Sequence, residues 1–382
     1  VPIHYARIKN PEATMLTRRS LLRQGLASGM ASGMVLSLPS ISRAAVPETD
    51  VTFLVVNDIH ACQIGDSLSP GCAAQGKTDE NLLRHIRGLN GIDQHNWPQD
   101  ILGKPSGFIS AGQPIAAPRG VIVCGDATDD GGGQMPDLGE GTQLLQFSKR
   151  YRQGEGPDRI RYPVYVGLGN HDLDQDDRPP QIDWYRDELR DYVRMNHKPS
   201  IFATPEVPAD NYDSASNNYS WNWGGLHLVQ AQRYGGDTDK GTASSLAWLK
   251  HDLATYAADG RPVVLFQHYG WDPFSLEHWD PVKSTFTPEG SGPPHWWGEE
   301  QRQALLDTLT GYNVIGIFHG HEHDTPMAYK VGAYDVFKAK AAFMGGFCLV
   351  RVTNDRMDVA IGQVAGNGDT LSFDVGFSKA LG

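Results

Sequence analysis

Between Phe318 and His323 the chain reads FHGHEH, three imidazoles in a row of alternate positions directly after the apolar run NVIGIF. One histidine in an apolar setting is usually a hydrogen-bonded core residue, but three at a strand end point to a metal if other segments supply partners. Those partners are present. VTFLVVND leads to Asp58 and His60, GVIVCGD ends in Asp126, YPVYVGLGN ends in Asn170 followed by His171 and Asp172, and RPVVLFQH ends in His268. Carboxylate, amide and imidazole donors without thiolates suit two divalent or trivalent ions (Mn, Fe, Zn or a mixed pair), and ions about 4 Å apart need a shared carboxylate. A turn at Gly320 aims His321 and His323 at one cluster.

The elements that must position these donors alternate along the chain. From Val51, short apolar strand-like runs are separated by helical stretches at Asp79–Gly88, Thr142–Arg152, Ile182–Met195, Ala243–Ala258 and Glu299–Leu309, the pattern of an α/β architecture. The donors all fall where strands end, and strand ends of an open α/β sheet are where ligands bind. The last third lacks helical periodicity and reads as antiparallel strands, from which a second sheet is expected. NYSWNWGGLHLVQAQR is read as one strand, with His227 a satisfied sheet histidine. His319 is assigned to contacts behind the site, and Asp129 and Asp130 to a solvated Gly/Asp loop. Two loops, 127–141 and 270–298, are long enough to carry function.

The chain has 382 residues, 43 of them glycine, 40% hydrophobic residues and a formal net charge of −12. It is long enough for one large domain or two ordinary ones. TRRSLLRQG, then a Gly/Ser-diluted apolar run closing on ISRAA, resembles a twin-arginine export signal, with Met15 as an alternative start. That run is too short for a stable membrane span. Residues 1–44 contain Arg7, Lys9, Arg18, Arg19, Arg23 and Arg43 against Glu12, a net +5, so the remainder carries −12 − 5 = −17. Such acidity disfavours nucleic acid as a partner. The expectation is a periplasmic or secreted protein carried by the twin-arginine machinery, with a catalytic domain over 45–365 and a C-terminal strand or tail over 366–382. In an oxidising compartment Cys62 and Cys72 could pair across a short Gly/Pro-rich loop, with free thiols the equal alternative; Cys124 and Cys348 sit in apolar runs as buried thiols.

DIH at 58–60, GD at 125–126, GNHD at 169–172, QH at 267–268 and GHEH at 320–323 stand in the order and spacing of the five blocks of the calcineurin-like metallophosphoesterase superfamily, which this sequence resembles. The resemblance implies two packed mixed β-sheets flanked by helices, with a dimetal site at the carboxyl edge of the strands. It places Asp58, His60, Asp126 and His323 on one ion, and Asp126, Asn170, His268 and His321 on the other, with Asp126 the bridge. It implies hydrolysis of phosphomonoesters or phosphodiesters by a metal-bridging hydroxide. His171 is then the general acid for the leaving oxygen, with Asp172 orienting it and raising its pKa. Purple acid phosphatases have a tyrosine where Asp129 stands and no histidine at the position of His60, so an Fe(III)–tyrosinate site is not expected.

Around this centre the aromatic loop supplies Trp271, Trp279, Trp296 and Trp297, which either form a wall for an apolar or planar substrate group or bury themselves in a small core of their own. Arg233, at the end of LVQAQR, is placed to reach a phosphate oxygen. A small phosphate ester is the expected substrate. The alternatives are a nucleotide- or phospholipid-headgroup-directed phosphodiesterase, a non-catalytic scaffold, and a nuclease that the acidity opposes.

Overall fold

The computed structural model describes residues 47–69, 71–130, 142–173, 184–237, 244–272, 279–280, 285–286 and 297–381. The twin-arginine stretch, most of the loop 127–141 and most of the loop 270–298 lie outside them.

Runs such as DVTFLVV and VIGIFH are apolar without alternation, so they are buried on both faces and form central strands of layered sheets. One sheet has six strands in the order Thr370–Ala380, Arg356–Ala365, Gly346–Thr353, Asp50–Val56, Val121–Val123 and Val164–Tyr165. The last three of these run parallel, the others antiparallel. The second sheet has seven strands: Met327–Val331, Tyr334–Lys338, Val314–His319, Val263–Phe266, Leu226–Gln230, Tyr219–Trp223 and Asn211–Tyr212. Its four inner strands, from Tyr334–Lys338 to Leu226–Gln230, are parallel.

The sheets pack face to face through large aromatic side chains. The Phe53 ring of the first sheet lies 5.7 Å from Trp223, 6.1 Å from Phe266 and 6.4 Å from Phe318 of the second. Helix Asp79–Asn90, capped by Thr78 accepting from the Asn81 amide, buries Leu82, Ile86 and Leu89 against the first sheet. Leu249 and Leu253 of helix Leu246–Tyr256, with Leu305 and Leu309 of helix Glu299–Leu309, cover Val229, Leu265 and Ile317 of the second. The expected α/β sandwich is therefore the observed one. Among the described residues, no helix is long and apolar enough to cross a membrane.

Two readings of the strands change. The C-terminal third does not make a sheet of its own: Gly346–Thr353 pairs antiparallel with Asp50–Val56, while Met327–Val331 and Tyr334–Lys338 extend the other sheet. A segment distant in sequence thus covers the edge of the first strand opposite Val121–Val123. The stretch from Asn218 to Gln230 is a hairpin, turning at Gly224 and Gly225 with Trp223 opposite Leu226. His227 sits in it as a satisfied sheet residue, between Asn222 Oδ1 at 3.0 Å and Asp252 Oδ2 at 2.9 Å.

Candidate metal centre

The parallel strands of the two sheets end at a common rim, and the chain leaves each of them in a tight, irregular backbone. Four of the seven non-glycine residues with φ in the left-handed region, among the described residues, are Asp58, His60, Asp126 and His321. Such conformations are costly for side chains with a Cβ and collect at functional sites. Gly320 permits a close approach: a Cβ there would lie 2.6 Å from Asp58 Oδ2 and 2.7 Å from Asn57 Cβ. The turn this allows presents the His321 amide to Asp58, 3.0 Å from Oδ2.

Two groups of donors result. Asp58, His60, Asp126 and His323 offer atoms within 4.8 Å of one another, and so do Asp126, His268 and His321. Asp126 belongs to both. Asn170 joins the second group, its Oδ1 standing 2.9 Å from His268 Nε2. All seven residues singled out in the sequence thus lie at one place.

The arrangement fits cations better than it fits a closed hydrogen-bond network. Asp126 is fully buried, yet its Oδ2 receives no well-aligned hydrogen bond, only the imidazole nitrogens that face it. His60 Nε2 and His323 Nε2 face each other at 3.1 Å, and His268 Nε2 stands 3.1 Å from Asp126 Oδ2. Imidazole nitrogens and a buried carboxylate oxygen turned toward a common centre are what a metal-ligand set requires. Burial keeps His60 neutral, pushing it down to about 4 against the pull of Asp129 and Asp126. It likewise pushes His321 down to about 3. His268 goes the other way, up to about 9, because the charge of Asp126 outweighs burial.

The outer ring of contacts differs from expectation. Asp172 does not touch the His171 ring; its buried carboxylate accepts from the amides of Ala127 (3.0 Å), Thr128 (2.9 Å) and Gly169 (2.9 Å) and from the Thr128 hydroxyl. It ties the loop after Asp126 to the loop before Asn170, since neighbouring side chains on the short helix Asn170–Leu173 diverge. Burial and the Asp126 charge push it up to about 6. The His171 ring is instead held through Nδ1 by the main-chain carbonyl of Asp129, and its own amide donates to Asp126 Oδ1 at 2.9 Å. Burial opposes protonation of His171, but Asp126 and the Asp129 carbonyl outweigh it and raise its pKa.

Asp129 is not solvated either. It faces inward, accepting from His60 Nδ1 at 3.0 Å and from Lys77 Nζ at 2.6 Å. Its only sequence signal was a carboxylate three residues past the GD pair. Cys62 and Cys72 form a disulfide beside it, while Cys124 and Cys348 are buried free thiols.

Behind His321 and His323 runs a buried charged cluster that the sequence did not suggest. Lys338 contacts Glu322 and stands 2.5 Å from Asp272 Oδ2; His319 lies 3.5 Å from the other Asp272 oxygen and 2.8 Å from the Tyr329 hydroxyl. His319 is thus a supporting residue.

Of the residues proposed for substrate, Arg233 forms a bidentate pair with Asp237 at 2.7 and 3.0 Å. Trp297 is only 3% exposed and packs with Tyr234 and Trp271, its Nε1 donating to Gly270 O. It is core rather than wall. Trp279 lies on a two-residue strand whose side chains are outside the described set, as is Trp296.

A two-sheet α/β sandwich with oxygen and nitrogen donors gathered at its strand ends defines a class of metal-assisted hydrolase. The family described as calcineurin-like phosphoesterase matches residues 51–325, and the chain belongs to it. It is a metal-dependent phosphoric ester hydrolase. The fold is similar to a dimetal phosphatase from Danio rerio, at 13% identity and TM-score 0.47, covering 86% of this chain and 100% of that one. It is also similar to PhoD, at 10% identity and TM-score 0.49, covering 88% and 70%. No curated sequence matches the chain.

Proposed function

We propose that this protein is an exported dimetal phosphoesterase acting on small phosphomonoesters or phosphodiesters. The observation that carries the reading is the convergence of six other donor residues on the buried Asp126, whose Oδ2 has His268 Nε2 3.1 Å away but no well-aligned hydrogen bond. Asp58, His60, Asp126 and His323 would hold one ion; Asp126, Asn170, His268 and His321 would hold the other. When bound, the ions supply a nucleophile at neutral pH and offset the charge that builds on the phosphoryl oxygens.

The chain's own residues complete the chemistry. With Nδ1 engaged by the Asp129 carbonyl, the proton His171 can deliver is the one on Nε2. As the P–O bond to the leaving group breaks, that proton passes to the leaving oxygen and the ring becomes neutral. Asp126 fixes the His171 main chain by accepting its amide, so the acid and the shared carboxylate keep a constant relation. Asp172 holds both loops that carry them.

A panel contrasting p-nitrophenyl phosphate with its bis ester, run with Mn(II), Zn(II) and Fe(II) and with EDTA, tests the reading. Turnover that is lost in EDTA and restored by metal is expected. Turnover indifferent to EDTA, or absent with every metal, would contradict it. Export rests on the twin-arginine stretch. Replacing Arg18 and Arg19 by lysine should leave the precursor in the cytoplasm, and undisturbed export would overturn that part.

A further inference from the structure

We infer that the buried pair of Lys77 and Asp129 is a positioning device for one half of the metal centre, setting the affinity of the ion held through His60 while leaving the other ion alone. The inference rests on the dimetal reading above and adds two residues to it.

Lys77 is only 6% exposed, an unusual place for an ammonium group unless a partner is fixed beside it. Its Nζ is 2.6 Å from Asp129 Oδ1, and the same oxygen is 3.0 Å from His60 Nδ1. One carboxylate oxygen therefore serves the lysine and the histidine together. With its Nδ1–H given to Asp129, His60 keeps the Nε2 lone pair for the centre, where Nε2 lies 3.6 Å from Asp126 Oδ2 and 3.1 Å from His323 Nε2. A carboxylate behind a ligating histidine fixes its tautomer and ring orientation and raises its basicity as a ligand.

Both partners are held in place by their own surroundings. The Asp129 amide donates to Gln143 Oε1 at 2.9 Å and to Ala61 O at 3.0 Å, next to His60 in the chain. Lys77 follows the short helix Cys72–Gln75, whose first residue the disulfide ties to Cys62, and its amide bonds to Cys72 O at 2.9 Å. Its ammonium lies 5.7 Å from the Phe343 ring, which meets the rings of His60 and His323 edge-on. Apart from the shared Asp126, 3.6 Å from His60 Nε2, these contacts reach none of the donors of the other position, so the device acts chiefly on the ion held through His60.

A two-site metal titration of the full chain, stripped with chelator and reloaded with Mn(II) or Zn(II), separates the possibilities. Asp129→Asn and Lys77→Met are expected to weaken one of the two ions by roughly 10- to 100-fold and to leave the other within about twofold. If Lys77→Met does not fold because Asp129 is left unpaired, the double variant Lys77→Met/Asp129→Asn removes both charges and is read instead. Selective loss of one ion in the folded double variant supports the inference, because a merely structural clip would regain both affinities. Two ions bound with wild-type affinities in every folded variant would overturn this inference while leaving the dimetal reading intact. A wild-type protein that binds no ions would overturn the dimetal reading itself.

Discussion

Lys338→Met leaves the Asp272 and Glu322 carboxylates facing each other without a cation. Lys338 is 1% exposed and Asp272 2%, so solvent cannot take over the lost contact at Asp272; Glu322, at 9%, is partly relieved by water. Breaking a buried ion pair from one side costs about 3–5 kcal/mol, and the lower half of that range applies here because one acid is partly hydrated. The pH dependence discriminates further. In the wild type, burial would raise the Asp272 pKa, but Lys338 and then His319 outweigh it, and the pKa is lowered. Without Lys338, burial dominates and the folded pKa lies above the unfolded one. A carboxyl group raised in this way favours the fold at low pH and loses that contribution as pH rises through its folded pKa. The destabilisation should therefore be larger at pH 8 than at pH 5. Guanidinium denaturation of the metal-free protein at both pH values measures it. A loss below about 1 kcal/mol at pH 8, or the same loss at both pH values, would refute the reasoning. Because Glu322 stands between His321 and His323, the same variant should also bind metal less tightly.

Three further outcomes follow from the geometry. His171→Ala should retain both ions but lower turnover on poor leaving groups by roughly 10²–10⁴; unchanged turnover on an alkyl phosphate would remove it from the mechanism. Gly169→Ala should lose metal and about 1–3 kcal/mol of stability, since a Cβ there would lie 2.2 Å from Asp126 Oδ1 and 2.8 Å from His268 Cδ2; an alanine variant with full metal content would show that the loop yields. In the metal-free protein His268 is raised to about 9, so its protonation stabilises the fold below about 6.5, and this contribution disappears as pH rises through 9. An ion at His268 must displace that proton. Apparent affinity for that ion should climb between pH 7 and 9 with proton release, and calorimetry in buffers of different ionisation enthalpy that finds no proton uptake or release would contradict this.

The donor set was legible because each ligand residue follows an apolar run that reads locally as a strand. Asp58, Asp126 and His268 need no knowledge of sheet order to be placed at strand ends, and parallel strands of two sheets bring those ends to one rim. The amphipathic helices were legible for a similar reason, although Asn170–Leu173 and Cys72–Gln75 are too short to show a period. What stayed hidden depends on contacts between distant segments. Asp129 looks like part of a Gly/Asp loop until the chain places Lys77 and His60 against it. Lys338 sits in VFKAKAAF, where nothing marks it as the cation for Asp272 and Glu322. The role expected of Asp172 failed because adjacency in sequence to His171 does not make the two side chains neighbours. Trp297 cannot be sorted between wall and core without the Tyr234 and Trp271 rings that the fold packs against it.

The direct test of the shared carboxylate is the metal content of purified wild-type protein and Asp126→Asn, by elemental analysis after reloading. Two ions per wild-type chain and none in the variant are predicted, with the variant's fold preserved by circular dichroism. A folded Asp126→Asn that still carries two ions would contradict the claim that this residue joins the two halves of the site.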